Sequence, residues 1–187
     1  MVCLFFVFLH AFVAYGIEPN AVEHADYSFD SEKAFSLKRF PDKDGSWNMI
    51  PTVYVCKDTP ISASRVRSAM RVWQRLGYEM IGPIMNSKIS ACINRDYSRG
   101  NIIIQLRGQS FKEENLAMTR TYRMTKTREI ISARIEIQAF APKKERVIEH
   151  EFGHAFGWHH FNRRYHIMNS VHSLGGWDTY GLRSPND

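Results

Sequence analysis

Apolar and polar positions along the chain divide it into a short series of elements. "IPTVYVC", Ile50 to Cys56, is β-branched and aromatic, which predicts a strand. In "SASRVRSAMRVWQRLGY", Val66, Met70, Trp73 and Leu76 recur at helical spacing. Ser62 or Ser64 supplies an N-cap and Gly77 a stop, so a helix is predicted there with its Met and Trp packed in the core. "GNIIIQLRG", Gly100 to Gly108, is an apolar run bounded by glycines and predicts a central strand. Leu116 to Arg123 and Ser132 to Phe140 alternate like half-buried strands, the second broken by Pro142. A helix is predicted from Lys144 to Gly157, and after His160 the pattern turns irregular. Trp177 to Leu182 is a candidate for a short terminal helix.

The N-terminal end has a different pattern. Val2 to Ala14 is almost wholly apolar, and no charge occurs before Gly16. That run is short of the about 20 residues a membrane span needs, and it reads as the apolar region of a secretory signal peptide, with cleavage expected after Gly16. Ile17 to Ser46 is polar with mixed charge and reads as a loosely structured leader or pro-segment, ending in the turn cluster "PDKDGS". The expected organisation is 1–16 signal peptide, 17–46 leader, and 47–187 a single folded domain. Export leaves Cys56 and Cys92 as an even pair once Cys3 departs with the signal, which predicts a disulfide between them.

Composition narrows the class without naming it. The 187 residues are 44% hydrophobic and 24% charged, as in an ordinary globular chain. The net charge is +6, and Arg120, Arg123, Lys126 and Arg128 crowd one stretch. No nucleic-acid module accompanies them, so a solvated basic hairpin is expected rather than a nucleic-acid surface. A polyanion-binding protein is kept as an alternative.

The chemistry concentrates in "HEFGHAFGWHHF", His150 to Phe161. Residues four apart on a helix share a face, so His150 and His154 point the same way. Two imidazoles do not make a catalytic zinc site; three protein ligands plus a water is the usual set. Gly157 lets the chain leave the helix through positive φ, and His160 follows three residues later. His159 competes for that place but needs a different turn, and it is expected at the surface or bracing a neighbour. Glu151 leans over the same face without ligating and suits proton transfer to and from a bound water. A zinc module without catalysis is the second alternative.

HExxHxxGxxH followed by a methionine turn resembles the metzincin clan of zinc metallopeptidases, and "HEFGHAFGWHH" with "HIMNS" is most similar to the matrixin branch. "GNIIIQL", "LAMT" and "SARIEIQ" resemble that family's central strand, edge strand and the strand before its active-site helix. The resemblance implies one catalytic Zn2+ on His150, His154 and His160, Glu151 as general base and acid, and Met168 as an apolar floor beneath the metal. It also implies that the edge strand at Leu116, Ala117, Met118 and Thr119 pairs with an extended peptide, hence endopeptidase action. The implied fold is α+β: a twisted mixed β-sheet with a backing helix, an active-site helix and a small irregular C-terminal subdomain, as in zincin-like enzymes. A secreted monomer acting on peptide or protein substrates is expected, with no specific nucleic-acid partner and no stable membrane insertion once the signal is removed.

The departures are specific. "NSVHSLGG" lacks the Pro and Tyr that matrixins place after the Met-turn. No cysteine stands in the leader, so the matrixin-type cysteine switch is absent, and Asp26, Asp30, Asp42 or Asp44 are the acidic side chains available instead. His166 and His172 flank the turn and are expected to be structural or surface residues.

Overall fold

The computed structural model describes residues 22–27, 39–94, 97–108 and 115–182. The signal-peptide expectation at 1–16, and Asp30, lie outside the described residues. The fold is α+β. One mixed sheet runs in the order β1-β5-β6-β4-β2-β3, from strands β1 (Val22–Tyr27), β2 (Thr52–Cys56), β3 (Ile81–Ser87), β4 (Asn101–Leu106), β5 (Ala117–Met124) and β6 (Ile130–Ile137). β3, β2, β4 and β6 are parallel, while β5 and β1 are antiparallel additions at the far edge. Helices α1 (Ala63–Gln74) and α3 (Val147–Ala155) pack on one another, and a short α2 (Ser90–Ile93) lies against β4.

The side chains follow the pleat. Ile102 and Ile104 of β4 and Ala133, Ile135 and Ile137 of β6 join Val66, Met70, Trp73, Ile148 and Phe152 in one apolar core. Ile103 points to the other face, beside Cys56 and Ala91. Cys56 and Cys92 form a disulfide that ties the end of β2 to α2. β6 was expected to be half-buried but is buried along its whole length, because it lies between β4 and β5. Its charged positions are paired there, with Arg134 Nε the one buried nitrogen of that guanidinium left without a hydrogen bond. Arg134 donates to Gln105 Oε1 at 2.7 Å and to the Ala91 carbonyl at 3.1 Å, and Gln105 donates to Glu136 at 3.0 Å. Arg120 reaches Glu136 from β5 at 3.3 Å.

Several elements differ from expectation. The leader is not wholly irregular: Val22–Tyr27 pairs with β5, placing Tyr27 opposite Thr119 and Val22 opposite Met124. β3 was not foreseen, since Gly82 and Pro83 interrupt its pattern; proline is tolerated because β3 is an edge strand. Helix α3 begins at Val147 rather than Lys144, because Arg146 adopts a left-handed φ of 65° after a 3-10 turn at Ala141–Lys143. No helix forms over Trp177 to Leu182, which makes a bridge and turns, with Asp178 paired to His166.

The basic hairpin is also less solvated than expected. Arg123 is buried, and with Arg128 it grips the carboxylate of Asp44. Burial pushes Asp44 up, but the hydrogen bonds and charges of these two arginines outweigh it and hold its carboxyl below the usual range.

Candidate metal centre

Helix α3 is positioned by α1 and the sheet. Arg65 of α1 forks onto Glu149 with bonds of 2.6 and 2.7 Å, and the Trp73 indole donates to the Glu149 carbonyl at 2.7 Å. At the other end, the Trp47 indole donates to the Ala155 carbonyl at 2.8 Å, serving one of the acceptors a helix C-terminus leaves open. Gly153 sits where α1 and the Met168 turn converge: a Cβ there would lie 2.8 Å from Trp73 Cζ2 and 2.8 Å from Met168 Cε.

The chain leaves α3 through Gly157, whose φ is +91°. A Cβ at that position would lie 2.8 Å from the carbonyl oxygens of both Asp44 and Gly45. Those contacts belong to a strap formed by the end of the leader. The Asp44 amide donates to the Gly157 carbonyl at 2.7 Å, and the His159 amide donates to the Asp42 carbonyl at 2.9 Å. The strap turns the backbone so that His160 faces back towards α3. His159 points away, its side chain 39% exposed and its Nε2 3.7 Å from Asp44.

His150, His154 and His160 are brought together. His154 Nε2 lies 3.0 Å from His150 Nε2 and 3.1 Å from His160 Nε2. Carbonyl partners set the tautomers of the first two. His150 Nδ1 lies 2.8 Å from the Ile167 carbonyl and His154 Nδ1 2.7 Å from the Trp158 carbonyl, so each Nδ1 carries the hydrogen and each Nε2 a lone pair. Lone pairs that converge at this distance repel unless a cation sits among them. A tetrahedral ion with bonds of about 2.0–2.1 Å sets its nitrogen ligands about 3.3–3.4 Å apart, so the donor set fits a small divalent ion after a shift of a few tenths of an ångström. Three imidazoles suit zinc, copper, iron or nickel.

Burial keeps these rings neutral. It lowers His150 to about 4 and His160 to about 3, and it lowers His154 well below the ordinary histidine value. Neighbouring imidazoles push His154 and His160 further down. Protons therefore do not compete for the ligand nitrogens near neutrality. Burial acts oppositely on Glu151, raising its carboxyl to about 8, against the pull of a Thr119 hydrogen bond.

Met168 is fully buried, its thioether against Gly153 of α3. Its amide donates to His166 Nδ1 at 3.0 Å, its carbonyl accepts from the Phe161 amide at 2.8 Å, and the preceding Ile167 carbonyl is the one that orients His150. His166 is structural: its Nε2 donates to the Tyr180 carbonyl at 3.1 Å, and burial lowers its proton affinity. His172 Nε2 meets the Glu145 carbonyl at 2.9 Å, at the surface.

Leu116 and Ala117 line a small cleft together with His150, Glu151, Ile167 and Asn169. Met118 is buried. The edge of β5 is engaged by β1 from Thr119 to Met124. Sequence reasoning placed Thr119 only on a peptide-pairing edge; its side chain instead meets Glu151, and alternation along β5 was the signal that could have turned it inward. Neither Arg65 nor the 41–46 strap was foreseen, because both act through residues far apart in sequence. Asp44 engages Arg123 and Arg128.

Comparison with known proteins yields no matching family model, no matching curated protein and no matching solved structure.

Proposed function

We propose that this chain is a secreted zinc-dependent endopeptidase of the metzincin type. The observation that carries the reading is the convergence of three Nε2 atoms, two of them fixed by carbonyl partners, beside a buried carboxylate that is not one of them. A purely structural zinc site has four protein ligands and no use for that carboxylate.

His150, His154 and His160 would hold the ion. When bound, zinc supplies a Lewis acid that polarises the scissile carbonyl and acidifies a water. A cation held beside Glu151 would favour its ionised form against the burial that raises it, and Glu151 would then accept the proton of the attacking water and deliver it to the leaving amine. Ile167 and Trp158 keep His150 and His154 in the ligating tautomer throughout. Leu116 and Ala117 offer backbone at the mouth of the cleft, where an extended peptide adds as a strand. Strand addition needs no free terminus, hence an endopeptidase.

The test is metal analysis followed by cleavage of a mixed peptide library, with Glu151→Gln as the control. One zinc per chain in both proteins, with internal cleavage by the wild type alone, is expected. Bound zinc with wild type and Glu151→Gln equally inert would overturn the enzyme reading in favour of a non-catalytic zinc module. Arg120, Arg123 and Arg128 hold carboxylates within the fold, which weighs against these three as a polyanion-binding patch.

A further inference from the structure

A residue from the sheet holds Glu151 at one of its two oxygens. Thr119 of β5 is fully buried, and its Oγ1 lies 2.5 Å from Glu151 Oε2 and 3.2 Å from the Glu151 carbonyl oxygen. No other hydroxyl is recorded on that carboxylate among the described residues. A threonine hydroxyl in such a place is costly unless bonded, and a valine would fill the same strand position without that cost. The hydroxyl is therefore better explained by what it does to Glu151 than by packing.

We propose that Thr119 is a positioning residue: its hydroxyl clamps Glu151 Oε2 and so reserves Oε1 as the oxygen that takes and returns the proton. This rests on the peptidase reading above. A carboxylate can accept a proton at either oxygen, and free rotation would scramble the two. A donor fixed on Oε2 makes that oxygen the poorer base. It also stops the carboxylate turning about its last bond. Oε2 remains an acceptor whether Oε1 is bare or protonated, so the Thr119 bond persists through the whole proton cycle without moving a heavy atom. The clamp is anchored from outside the helix, since Thr119 pairs with Ile135 of β6 across the sheet. Glu151 is thus aimed by the sheet rather than by α3 alone.

The test compares Thr119→Val, which keeps the shape and removes the hydroxyl, with Thr119→Ser, which keeps the hydroxyl. Thr119→Ala replaces the valine variant should valine disturb the strand. Full-length chains are loaded with zinc and assayed on a peptide that the wild type cleaves. Loss of a hydrogen bond to a charged group is expected to lower kcat about 10- to 100-fold, with KM within about twofold and zinc stoichiometry unchanged. Serine is expected to restore kcat to within about threefold of wild type. A readout independent of turnover is the carbon-13 resonance of the Glu151 carboxyl in chelator-treated protein, identified by its disappearance in Glu151→Gln. It is expected to move in Thr119→Val and to stay in Thr119→Ser. An unchanged kcat or an unmoved resonance in Thr119→Val, or a serine variant as impaired as the valine one, overturns the positioning role while the peptidase reading stands. A zinc-loaded wild type that cleaves nothing in the library overturns both.

Discussion

Gly153 lies where Trp73 of α1 and Met168 converge on α3, and replacing it with alanine is a sharp test of how that region is built. The added Cβ would meet the Met168 thioether sulfur first, with Met168 Cε and Trp73 Cζ2 of α1 each at 2.8 Å. The two neighbours differ in how they can respond. The Met168 thioether is the end of a flexible chain and can swing aside. Trp73 cannot: its indole is tied to the Glu149 carbonyl at 2.7 Å, and its ring stands edge-on to Tyr78 with centroids 5.4 Å apart. Overpacking of this kind costs about 1–3 kcal/mol, and alanine returns about 1 kcal/mol through its helix propensity. The net expectation is about 0–2 kcal/mol of destabilisation, or a Tm lower by up to about 8 °C for a chain of this size. Calorimetry or circular dichroism of the chelator-treated protein measures it. A double-mutant cycle locates it: coupling of Gly153→Ala with Trp73→Phe is expected to exceed coupling with Met168→Leu by at least about 0.5 kcal/mol. A Tm above wild type, or no excess coupling to Trp73, would refute the reasoning, because the α1–α3 contact would then have slack that the structure denies it.

Other perturbations address different links. Lowered folded-state proton affinities at His150, His154 and His160 mean that the unfolded chain binds more protons below about pH 6.5, the ordinary histidine value. Their neutral rings therefore favour folding fully above that pH, and the chelator-treated protein should lose stability as pH falls from 6.5 towards 4; urea midpoints that stay flat over that window would contradict this. Glu151 has the opposite sign: its raised folded-state value, about 8, costs stability as pH climbs from about 4.5 to 8, so Glu151→Gln should gain on wild type as pH rises. The Cys56–Cys92 disulfide closes a sequence separation of 36, and replacing both cysteines by alanine should cost about 3–4 kcal/mol by denaturant melting while leaving zinc stoichiometry intact. A chain lacking residues 1–38 keeps the 41–46 strap but frees the β5 edge from Thr119 to Met124, and it should cleave peptides faster than the full chain. Equal rates would show that β1 does not compete with substrate there.

Much of the histidine cluster was legible because it depends on local spacing. A four-residue step places His150 above His154, and Gly157 supplies the turn that returns His160; the observed φ of +91° is the conformation that residue was expected to adopt. The central strand and α1 were equally legible from short-range pattern. Contacts spanning the chain were not. Thr119 and Glu151 are 32 residues apart, Arg65 and Glu149 are 84 apart, and Asp44 and Arg123 are 79 apart; nothing in their local sequence marks them as partners. β1 was hidden for a related reason. A short polar strand becomes a strand only because β5 offers it an edge, and that edge is a tertiary fact. Arg134 and Glu136 are polar positions of an alternating strand, and only their contacts with Ala91 of α2, Gln105 of β4 and Arg120 of β5 show how they are accommodated in the interior.

The central claim is that the histidine cluster is a zinc centre with one coordination position left open. X-ray absorption at the zinc edge of the loaded full-length chain tests it most directly. Three imidazole rings and one oxygen at about 2.0–2.1 Å are expected, falling to two rings in His160→Ala while His159→Ala keeps all three. Sulfur scatterers near about 2.3 Å, four imidazoles, or a His160→Ala spectrum identical to wild type would contradict it.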